Sequence, residues 1–549
     1  MKKGPQKSAL FAITVSGFAL VGFVGAQTAF RNFNDAWGPR YRPALQIPTP
    51  STHPMPHGIG PANRIRHWNE IAINASGLDH TPVAVGENRV FGEQLGPARA
   101  SRAMAIVHIA IFEAVNAIDG GCQSYTGLAA ARPDTSMECA IAQAACATLD
   151  ALFPSQKTAF DQQLASELAQ IPNSPRKTDG VSLGHRAASA ILALRANDGS
   201  QQAEPRVGIQ FITSNDPGKW RQDPISQHPL ALGAYWGFVQ PFVLQSSNQF
   251  RAPMPPALNS VEYAAAYNEA KSIGGDGIVT PTTRTAEQTQ IGIFWAYDGT
   301  PSLCAPPRLY NQIIMHIADQ IGTSSNPAEL ARLLALTNVA MADAAIAIWE
   351  SKYYYQYWRP VTAIREADAG TGPTGLGDGN PATIGDPNFS PFGAPASNLN
   401  GPNFTPPFPS YPSGHGGFGG ALFETLRKFY RTDQIAFTFV SDEFNGVTRD
   451  NSGNVRPLVT RSFSSLSQAE EENGQSRIYL GIHWAFDKTE AIAQGRRVAD
   501  YVFANAFLPV IRTQPHAKKL PRDKATAAFI EIFGRADTRD LKHLPPGSR

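Results

Sequence analysis

Helical periodicity dominates the first half of the chain and restricts its fold class more than any other feature. Four segments rich in Ala and Leu repeat apolar residues at the spacing of one helix face, whereas strand-like alternation is scarce. These segments run from Pro97 to Asp119, Met137 to Phe153, Thr158 to Ile171 and Val181 to Asn197. Together they predict one bundle of helices.

The second half predicts another bundle, between about Pro327 and Phe507. Its best-defined helix has Asn326 as N-cap and Pro327 at the first helical position, and continues to about Tyr357. Further helices are predicted from His415 to Tyr430 and from Ser476 onwards. The predicted class is therefore all-α, with a four-helix-type second bundle, two helical bundles in total and long irregular loops.

Two long segments without periodicity separate these helices. Residues 201 to 257 are rich in Pro, Gln and Ser, and Asp368 to Pro412 is a run of Gly, Pro and Asn. Loops of that length are usually disordered or functional. The predicted organisation assigns residues 27–257 to the first bundle and its connector, 258–510 to the second bundle with an oxyanion site, and 511–549 to a basic tail.

The overall composition limits the range of binding partners. The chain has 549 residues, of which 42% are hydrophobic and 17% charged, so a large core can form. Its 47 basic and 45 acidic residues nearly cancel, and no block of like charge occurs. Bulk electrostatic binding to nucleic acid or to a membrane surface is therefore not expected, and any preference for anions must be local.

The N-terminus has the features of a targeting segment. Lys2, Lys3 and Lys7 precede an apolar stretch over residues 9–24, followed by small residues that suit cleavage after Ala26. We expect a signal peptide over residues 1–26 and a secreted or periplasmic protein. The alternative is an uncleaved anchor, although the run is short for the ~20 apolar residues of a span. No later span is expected in the mature chain.

The cysteines indicate neither a disulfide framework nor a metal site. Cys122, Cys139, Cys146 and Cys304 are too sparse for a framework and lack metal-site spacing. Cys139 and Cys146 fall two turns apart on one predicted helix, about 10 Å along its axis, so they are not expected to bridge each other.

The first of three clusters with chemical character contains Lys352 and Arg359. Seven residues separate them, so on one helix they would return to the same face after two turns and could bind one anion together. The alternative is a pair of solvated cations at a helix C-terminus, where positive charge is favoured anyway.

The second cluster, Ser413-Gly414-His415, closes the long loop and opens a helix. Free backbone N–H groups at a helix N-terminus suit an oxyanion, and Gly414 allows close approach. Ser413 either caps the helix or donates its hydroxyl to the ligand, and His415 is placed for proton transfer. The segment lacks a nucleophile elbow, and no acidic residue is placed by sequence to complete a hydrolase triad.

The third cluster contains Arg477, His483 and Asp487. Arg477 offers a planar, permanently charged fork for oxyanion oxygens, and His483 can supply a lone pair to a metal oxyanion or to phosphorus. Asp487 either holds His483 in one tautomer or opens a capping box with Glu490.

The motifs K-x6-R-P, P-S-G-H and S-R-x5-H-x3-D occur in this order, at predicted helix ends. With them the chain resembles the superfamily that joins vanadium haloperoxidases with type 2 phosphatidic-acid phosphatases and bacterial acid phosphatases. The segment from Met341 to Lys352, with Trp349 one turn before the lysine, is similar to a helix of fungal-type vanadium chloroperoxidases. The segment around Asp298 is similar to another segment of these chloroperoxidases. Phe408 stands where that family lines its halide pocket.

The resemblance implies a vanadate cofactor bound through His483. Its oxygens would be held by Lys352, Arg359, Ser413, the Gly414 N–H group and Arg477. His415 would be the acid–base group, Asp298 would orient Arg477, and Trp349 and Phe408 would shape the approach of halide. The implied reaction oxidises bromide or chloride with hydrogen peroxide to hypohalous acid, with an organic acceptor possible and the oligomeric state open.

Two other classes of protein are compatible with the same residues. In a phosphomonoesterase, His483 would form a phosphohistidine, His415 would protonate the leaving group and Asp487 would orient His483. In a non-catalytic anion binder the pocket would persist without turnover. The presence of both histidines argues against a binder, and Trp349 and Phe408 favour the peroxidase.

Overall fold

A computed structural model describes residues 30, 32–44, 46–47 and 60–510. The predicted signal peptide and the predicted basic tail lie outside the described residues. The helices, in chain order, are α1 (Phe33–Trp37), α2 (Pro61–Asp79), α3 (Pro97–Asp119), α4 (Met137–Leu152), α5 (Lys157–Ala169), α6 (Pro175–Arg195), α7 (Val261–Gly274), α8 (Ala286–Phe294), α9 (Pro306–Ile321), α10 (Pro327–Tyr355), α11 (Pro360–Arg365), α12 (Gly414–Tyr430), α13 (Leu466–Tyr479) and α14 (Ala485–Asn505).

The four helices predicted in the first half are present and pack together. Helices α3, α4 and α6 contact one another, and α5 lies against α4. Helix α6 begins six residues before its predicted start, because Ser174 caps it by accepting from the Lys177 N–H and Pro175 occupies its first position. The close approach of α4 and α6 requires glycine, since a Cβ on Gly184 would lie 2.6 Å from the Ala140 carbonyl oxygen.

Helix α10 is the central element of the second bundle and contacts α3, α12 and α14. Asn326 caps it as predicted, accepting from two N–H groups of the first turn. Helix α13 begins at Leu466, not at the predicted Ser476, because Ser465 accepts from the Gln468 N–H and starts the helix a full ten residues earlier.

One continuous apolar core contains side chains from both halves of the chain. It includes residues of α3 and α4 together with residues of α10, α12 and α14. The helical class is as predicted. The domain boundary at residues 257 and 258 remains a prediction.

Strands form a minor part of the described structure. Strand β1 (Arg42–Pro43) pairs with β2 (Leu399–Asn400), and β3 (Phe437–Asn445) pairs antiparallel with β4 (Leu458–Phe463). The β3–β4 hairpin lies between α12 and α13, where no strand was predicted. The two long segments without periodicity are irregular as expected, apart from single turns of 3₁₀ helix and these short pairings.

No later segment was expected to be long and apolar enough to span a bilayer. By length and composition alone, that expectation was wrong. Helices α3 and α10 both meet that description, but the relevant windows are 89% and 94% buried inside the protein. They are core helices of the described unit. All four cysteines are free thiols, so Cys139 and Cys146 do not bridge, as expected.

Helices α12 and α14 meet at a contact that requires glycine. A Cβ on Gly495 would lie 2.1 Å from the Gly417 carbonyl oxygen and 2.8 Å from the Ala421 nitrogen. Backbone atoms cannot yield there without displacing one helix.

We therefore expect Gly495→Ala to lower the free energy of unfolding by roughly 2 kcal/mol or more, despite the better helix propensity of alanine. Chemical denaturation measures the change. The control is Gly60→Ala, where a Cβ would meet nothing within 4 Å, and whose effect should stay within about 1 kcal/mol. An unchanged or raised stability of Gly495→Ala would contradict this packing.

Candidate active site

The three sequence clusters meet because each lies at the end of a helix of the second bundle. Lys352 is in the last turn of α10, Ser413 caps α12, Arg477 is in the last turn of α13, and His483 precedes Trp484, the N-cap of α14. Helices α12 and α14 both contact α10, so these ends converge.

The His483 ring has its lone pair on Nε2, where it accepts a hydrogen bond from Arg359. Its Nδ1 lies 2.7 Å from Oδ2 of Asp487, and a carboxylate accepts, so Nδ1 carries the hydrogen and Nε2 keeps its lone pair. Nε2 lies 3.0 Å from Nη1 of Arg359. Burial, with Arg359 and Lys352 nearby, holds the pKa of His483 well below its usual range.

Asp487 orients His483, the first of the two roles that the sequence left open, whereas the second role, a capping box that Asp487 opens with Glu490, was wrong. Its Oδ2 also accepts from the Trp484 N–H at 3.2 Å and from the Ser410 hydroxyl, so it fixes the start of α14 while orienting His483. It does not open the helix, because α14 begins at Ala485. Burial raises the pKa of Asp487 to about 6, opposed by Ser410 and Lys352.

Arg359 does not share a helix with Lys352, contrary to prediction. Helix α10 ends at Tyr355 because Gln356 adopts a left-handed conformation, with φ 51°, and Arg359 then precedes Pro360 in extended geometry. The two cations nevertheless lie near each other, since the charge of Arg359 contributes to lowering the pKa of Lys352.

The Arg359 guanidinium is held by backbone carbonyls. Nε donates to the Phe408 oxygen at 3.0 Å, and Nη1 donates to the Ile482 oxygen at 2.8 Å. Its Nη2 is buried and has no partner among the described residues. Burial lowers the pKa of Arg359 to about 9.

Lys352 is fully buried, which rules out the solvated surface pair. Its Nζ donates to the carbonyl oxygens of Pro409 at 2.8 Å and Ser410 at 2.9 Å, and lies 5.0 Å from the centre of the Phe408 ring. Two of its three donors are thus used. Burial and the neighbouring Arg359 hold the pKa of Lys352 well below its usual range.

Arg477 is paired with Asp298, as the resemblance implies. Nη2 donates to Oδ1 of Asp298 at 2.7 Å, and both side chains are buried. Nε and Nη1 of Arg477 have no partner within the described part of the chain. Burial raises the pKa of Asp298, and Arg477 opposes that rise.

Ser413 caps α12, and its hydroxyl hydrogen stays available. Its Oγ accepts from the Gly416 N–H at 3.3 Å, which uses a lone pair and not the hydrogen. Gly414 is the first residue of α12, where N–H groups lack helical partners. A Cβ at Gly414 would lie 3.3 Å from the Trp349 ring.

His415 is held in the opposite tautomer to His483. Its Nε2 lies 2.6 Å from the Ala296 carbonyl oxygen, which can only accept, so the lone pair of the neutral ring is on Nδ1. Burial and the nearby Arg477 hold the pKa of His415 well below its usual range. Nδ1 is therefore the ring atom of His415 that is placed to accept a proton.

Sequence reasoning missed the residues that hold the segment around Asp298 in place. Three consecutive residues of β3 do so: Ser441 Oγ donates to the Phe294 oxygen at 2.6 Å, the Asp442 N–H donates to the Tyr297 hydroxyl at 2.6 Å, and Glu443 Oε1 accepts from the Tyr297 N–H at 3.3 Å. We call Ser441, Asp442 and Glu443 the β3 clamp. The clamp holds the segment that carries Ala296, whose carbonyl binds His415, and Asp298, whose carboxylate binds Arg477.

A cavity of about 50 Å³ lies beside these groups. Asp298, Gly414, His415, Arg477 and His483 line it, whereas Lys352, Arg359 and Ser413 do not. Trp349 and Phe408 also line the cavity, with their ring centres 5.0 Å apart in an edge-to-face contact.

The unpaired polar atoms of the site indicate which kind of ligand it suits. Three guanidinium N–H donors, Nη2 of Arg359 and Nε and Nη1 of Arg477, are buried without partners in the described structure. Buried donors without partners are costly. A tetrahedral oxyanion supplies the missing acceptors, and the Nε2 lone pair of His483 supplies a ligand to its central atom, so the donor set fits vanadate.

Comparisons with known proteins show the family of the chain. The family model of the second helical-bundle domain of VCPO matches residues 332–509. The chain is 31% identical over 514 residues to vanadium chloroperoxidase of Curvularia inaequalis, covering 78% of this chain and 80% of that protein. The chain therefore belongs to the vanadium haloperoxidase family. It is a peroxidase that uses a vanadate cofactor and takes hydrogen peroxide and halide as substrates.

Solved structures share the fold. A bacterial vanadium-dependent iodoperoxidase matches with a TM-score of 0.64 and 24% identity, over 83% of this chain and 99% of that chain. A holo-type bacterial vanadium-dependent chloroperoxidase matches with a TM-score of 0.53 and 16% identity, over 75% and 92%. Family membership decides for the haloperoxidase over the phosphatase and the inert binder.

The β3 clamp generates a prediction about pH. Burial raises the pKa of Glu443 to about 7, opposed by Arg456. The unfolded chain releases this proton near its ordinary value of 4.5. The folded protein therefore loses stability as pH rises between these values.

We expect Glu443→Gln to remove that part of the pH dependence. The difference in unfolding free energy, wild type minus variant, should fall by up to roughly 3 kcal/mol between pH 4.5 and 7.5, measured by urea denaturation. Glu262→Gln, at an exposed position, is the control. A difference that stays constant or grows with pH would show that Glu443 does not titrate there.

Proposed function

We propose that vanadate binds through Nε2 of His483 and that this chain oxidises bromide or chloride. The oxygens are held by Lys352, Arg359, the Ser413 hydroxyl, the Gly414 N–H group and Arg477. The observation that supports this assignment is that three guanidinium N–H groups of Arg359 and Arg477 have no partner among the described residues, while Nη1 of Arg359 lies 3.0 Å from Nε2 of His483.

Vanadate, when bound, activates hydrogen peroxide toward attack by a halide without itself changing oxidation state. The three buried cations contribute by withdrawing electron density from the bound oxygens. Their effect is strong because water is excluded and because carbonyls and carboxylates fix them before reaction. Arg477 is fixed by Asp298, and Lys352 by the carbonyls of Pro409 and Ser410.

His415 moves the protons. The neutral ring accepts one from hydrogen peroxide at Nδ1 while Nε2 stays bound to the Ala296 oxygen. It returns that proton when the product leaves, so that halide, hydrogen peroxide and one proton give hypohalous acid and water. Asp298 acts through Arg477 as a positioning residue.

Trp349 and Phe408 are proposed to form the approach for the halide. Both are buried, and both line the cavity beside the cationic groups. Apolar walls strip water from a halide, and Lys352, next to the Phe408 ring, offsets the cost. The relative from Curvularia inaequalis is named a chloroperoxidase, which supports bromide or chloride as the halide oxidised here.

We also propose that the protein is exported by its N-terminal segment. An exported haloperoxidase keeps hypohalous acid away from the cytoplasm. N-terminal sequencing of the protein secreted by its native host tests this, and a mature chain that begins at residue 1 would contradict it.

His483→Ala should abolish vanadate-dependent bromination, because the only nitrogen proposed to bind vanadium is lost. The assay loads purified protein with vanadate and follows bromination of a diketone with hydrogen peroxide and bromide. Inorganic phosphate should compete with vanadate in the wild type. His185→Ala, at an exposed position on α6, is the control and should retain full activity. Hydrolysis of an aryl phosphate without bromination at any pH would contradict the proposal.

Arg477→Lys should weaken vanadate binding by about tenfold or more, equivalent to roughly 1.4 kcal/mol, because a lysine keeps the charge and loses the fork. Equilibrium dialysis with vanadate measures the dissociation constant. Arg132→Lys, at an exposed arginine, should leave it unchanged. Equal affinity in Arg477→Lys and the wild type would remove Arg477 from the site.

The rates with chloride, bromide and iodide at equal concentration test the halide assignment. We expect bromide oxidation at a rate that Phe408→Ala reduces by tenfold or more, since the apolar wall is lost. Activity with iodide alone would contradict bromide or chloride as the substrate.

A further inference from the structure

We propose that a turn in the irregular segment of residues 201–257 positions both aromatic residues of the halide approach, a role that rests on the proposed function of Trp349 and Phe408. The turn consists of residues 231–234, in which the Ala234 N–H donates to the Ala231 oxygen at 3.2 Å. We call these four residues the connector turn. Leu232 and Gly233 are its positioning residues, and neither of them takes part in the chemistry.

The backbone of Leu232 joins the two aromatic residues. Its N–H group donates to the Pro407 oxygen at 2.9 Å, and Pro407 directly precedes Phe408. Its carbonyl oxygen accepts from Nε1 of Trp349 at 3.1 Å. One residue therefore fixes the Trp349 ring and the backbone beside the Phe408 ring.

The bond from Trp349 to Leu232 sets the orientation of the indole. The indole has a single polar atom, Nε1, which can only donate. Trp349 is 1% exposed, so an orientation that left this donor without an acceptor would be costly. The position of the Leu232 oxygen thus selects one orientation of the ring.

Tyr353 strengthens the same contact from the next turn of α10. Its hydroxyl donates to the Leu232 oxygen at 2.9 Å. A carbonyl oxygen has two lone pairs, and here Trp349 and Tyr353 use both of them. The connector turn is therefore bonded twice to the helix that carries Trp349 and Lys352.

Gly233 allows the connector turn to lie directly against the indole. Its φ of 77° is one that L side chains rarely adopt. A Cβ at this position would lie 2.3 Å from both Cδ1 and Nε1 of Trp349. Any larger residue at Gly233 must displace the turn or the ring.

The connector turn is anchored to helix α3. The Gly233 N–H donates to Oε2 of Glu204 at 2.5 Å, and Oε1 of Glu204 accepts from Nε of Arg99 at 3.1 Å. Both charged side chains are buried, and Arg99 belongs to α3. The orientation of Trp349 therefore depends on a helix that supplies none of the groups proposed to hold vanadate.

A shift of the connector turn should act on the halide and not on the oxyanion. Leu232, Trp349 and Phe408 all line the cavity. Arg477 is fixed by Asp298, and His483 by Asp487, so their orientation does not depend on the turn. The kinetic constant that should change is the KM for the halide.

The first test compares Gly233→Ala with Gly208→Ala in the full-length protein loaded with vanadate. Gly208 has the same φ of 77°, but a Cβ there would meet nothing within 4 Å, so the control carries the backbone strain without the clash. Relief of the clash moves the indole or the turn by roughly 1 Å, enough to raise the KM for bromide about tenfold or more in Gly233→Ala. The KM for hydrogen peroxide and the dissociation constant of vanadate should stay within about threefold of the wild type, and Gly208→Ala should match the wild type in all three.

The second test removes one hydrogen bond and adds no atom. Tyr353→Phe should raise the KM for bromide about threefold, because the Leu232 oxygen keeps only its bond to Trp349. Tyr354→Phe is the matched control, at a neighbouring tyrosine that is 59% exposed, and should leave the KM unchanged. This variant decides the matter if Gly233→Ala does not bind vanadate.

The outcomes separate the connector turn from the proposed function. An unchanged KM for bromide in Gly233→Ala and Tyr353→Phe, with bromide oxidation impaired in Phe408→Ala, would overturn the role of the turn alone. Equal weakening of vanadate and bromide in both variants would also overturn it, since the turn would then support the whole site. Undiminished bromide oxidation in Phe408→Ala would reject the proposed halide approach itself.

Discussion

The structure depends on the burial of three cations beside His483. Removing Lys352, Arg359 and Arg477 from water is costly, and the pKa values of Lys352 and Arg359 are lowered accordingly. Backbone carbonyls and two carboxylates, Asp298 and Asp487, offset part of this cost. Within the described residues three guanidinium N–H donors stay unpaired, and an oxyanion would supply the acceptors that they lack.

The irregular parts of the chain serve this burial as much as the helices do. The long loop before α12 supplies the Phe408, Pro409 and Ser410 carbonyls that hold Arg359 and Lys352. The hairpin after α12 supplies the β3 clamp, which fixes the carbonyl that orients His415 and the carboxylate that orients Arg477. Helix ends therefore bring the reacting groups together, and loops fix their orientation.

Much of this site could be predicted from the sequence. Ser413 and His415 stand at the start of α12, which periodicity and the capping residue indicate, and the motif resemblance supplied Arg477 and His483. The place of Arg477 in its helix was wrong, since it lies in the last turn of α13 and not at the start of a helix from Ser476.

The relation of Lys352 to Arg359 could not be predicted, since it depends on the left-handed conformation of Gln356, where no glycine marks the end of the helix. The β3 clamp and Ser410 act through contacts between segments distant in sequence, for which a single sequence carries no signal.

The atom on which the proposed site depends most directly is Nε2 of His483, which lies 3.0 Å from Nη1 of Arg359. A crystal structure of the protein with vanadate tests it. The predicted result is a vanadium–nitrogen bond at Nε2, with Nη2 of Arg359 and Nε and Nη1 of Arg477 donating to the vanadate oxygens. Vanadate bound elsewhere, or Nε2 still paired with Arg359 in the loaded protein, would contradict it.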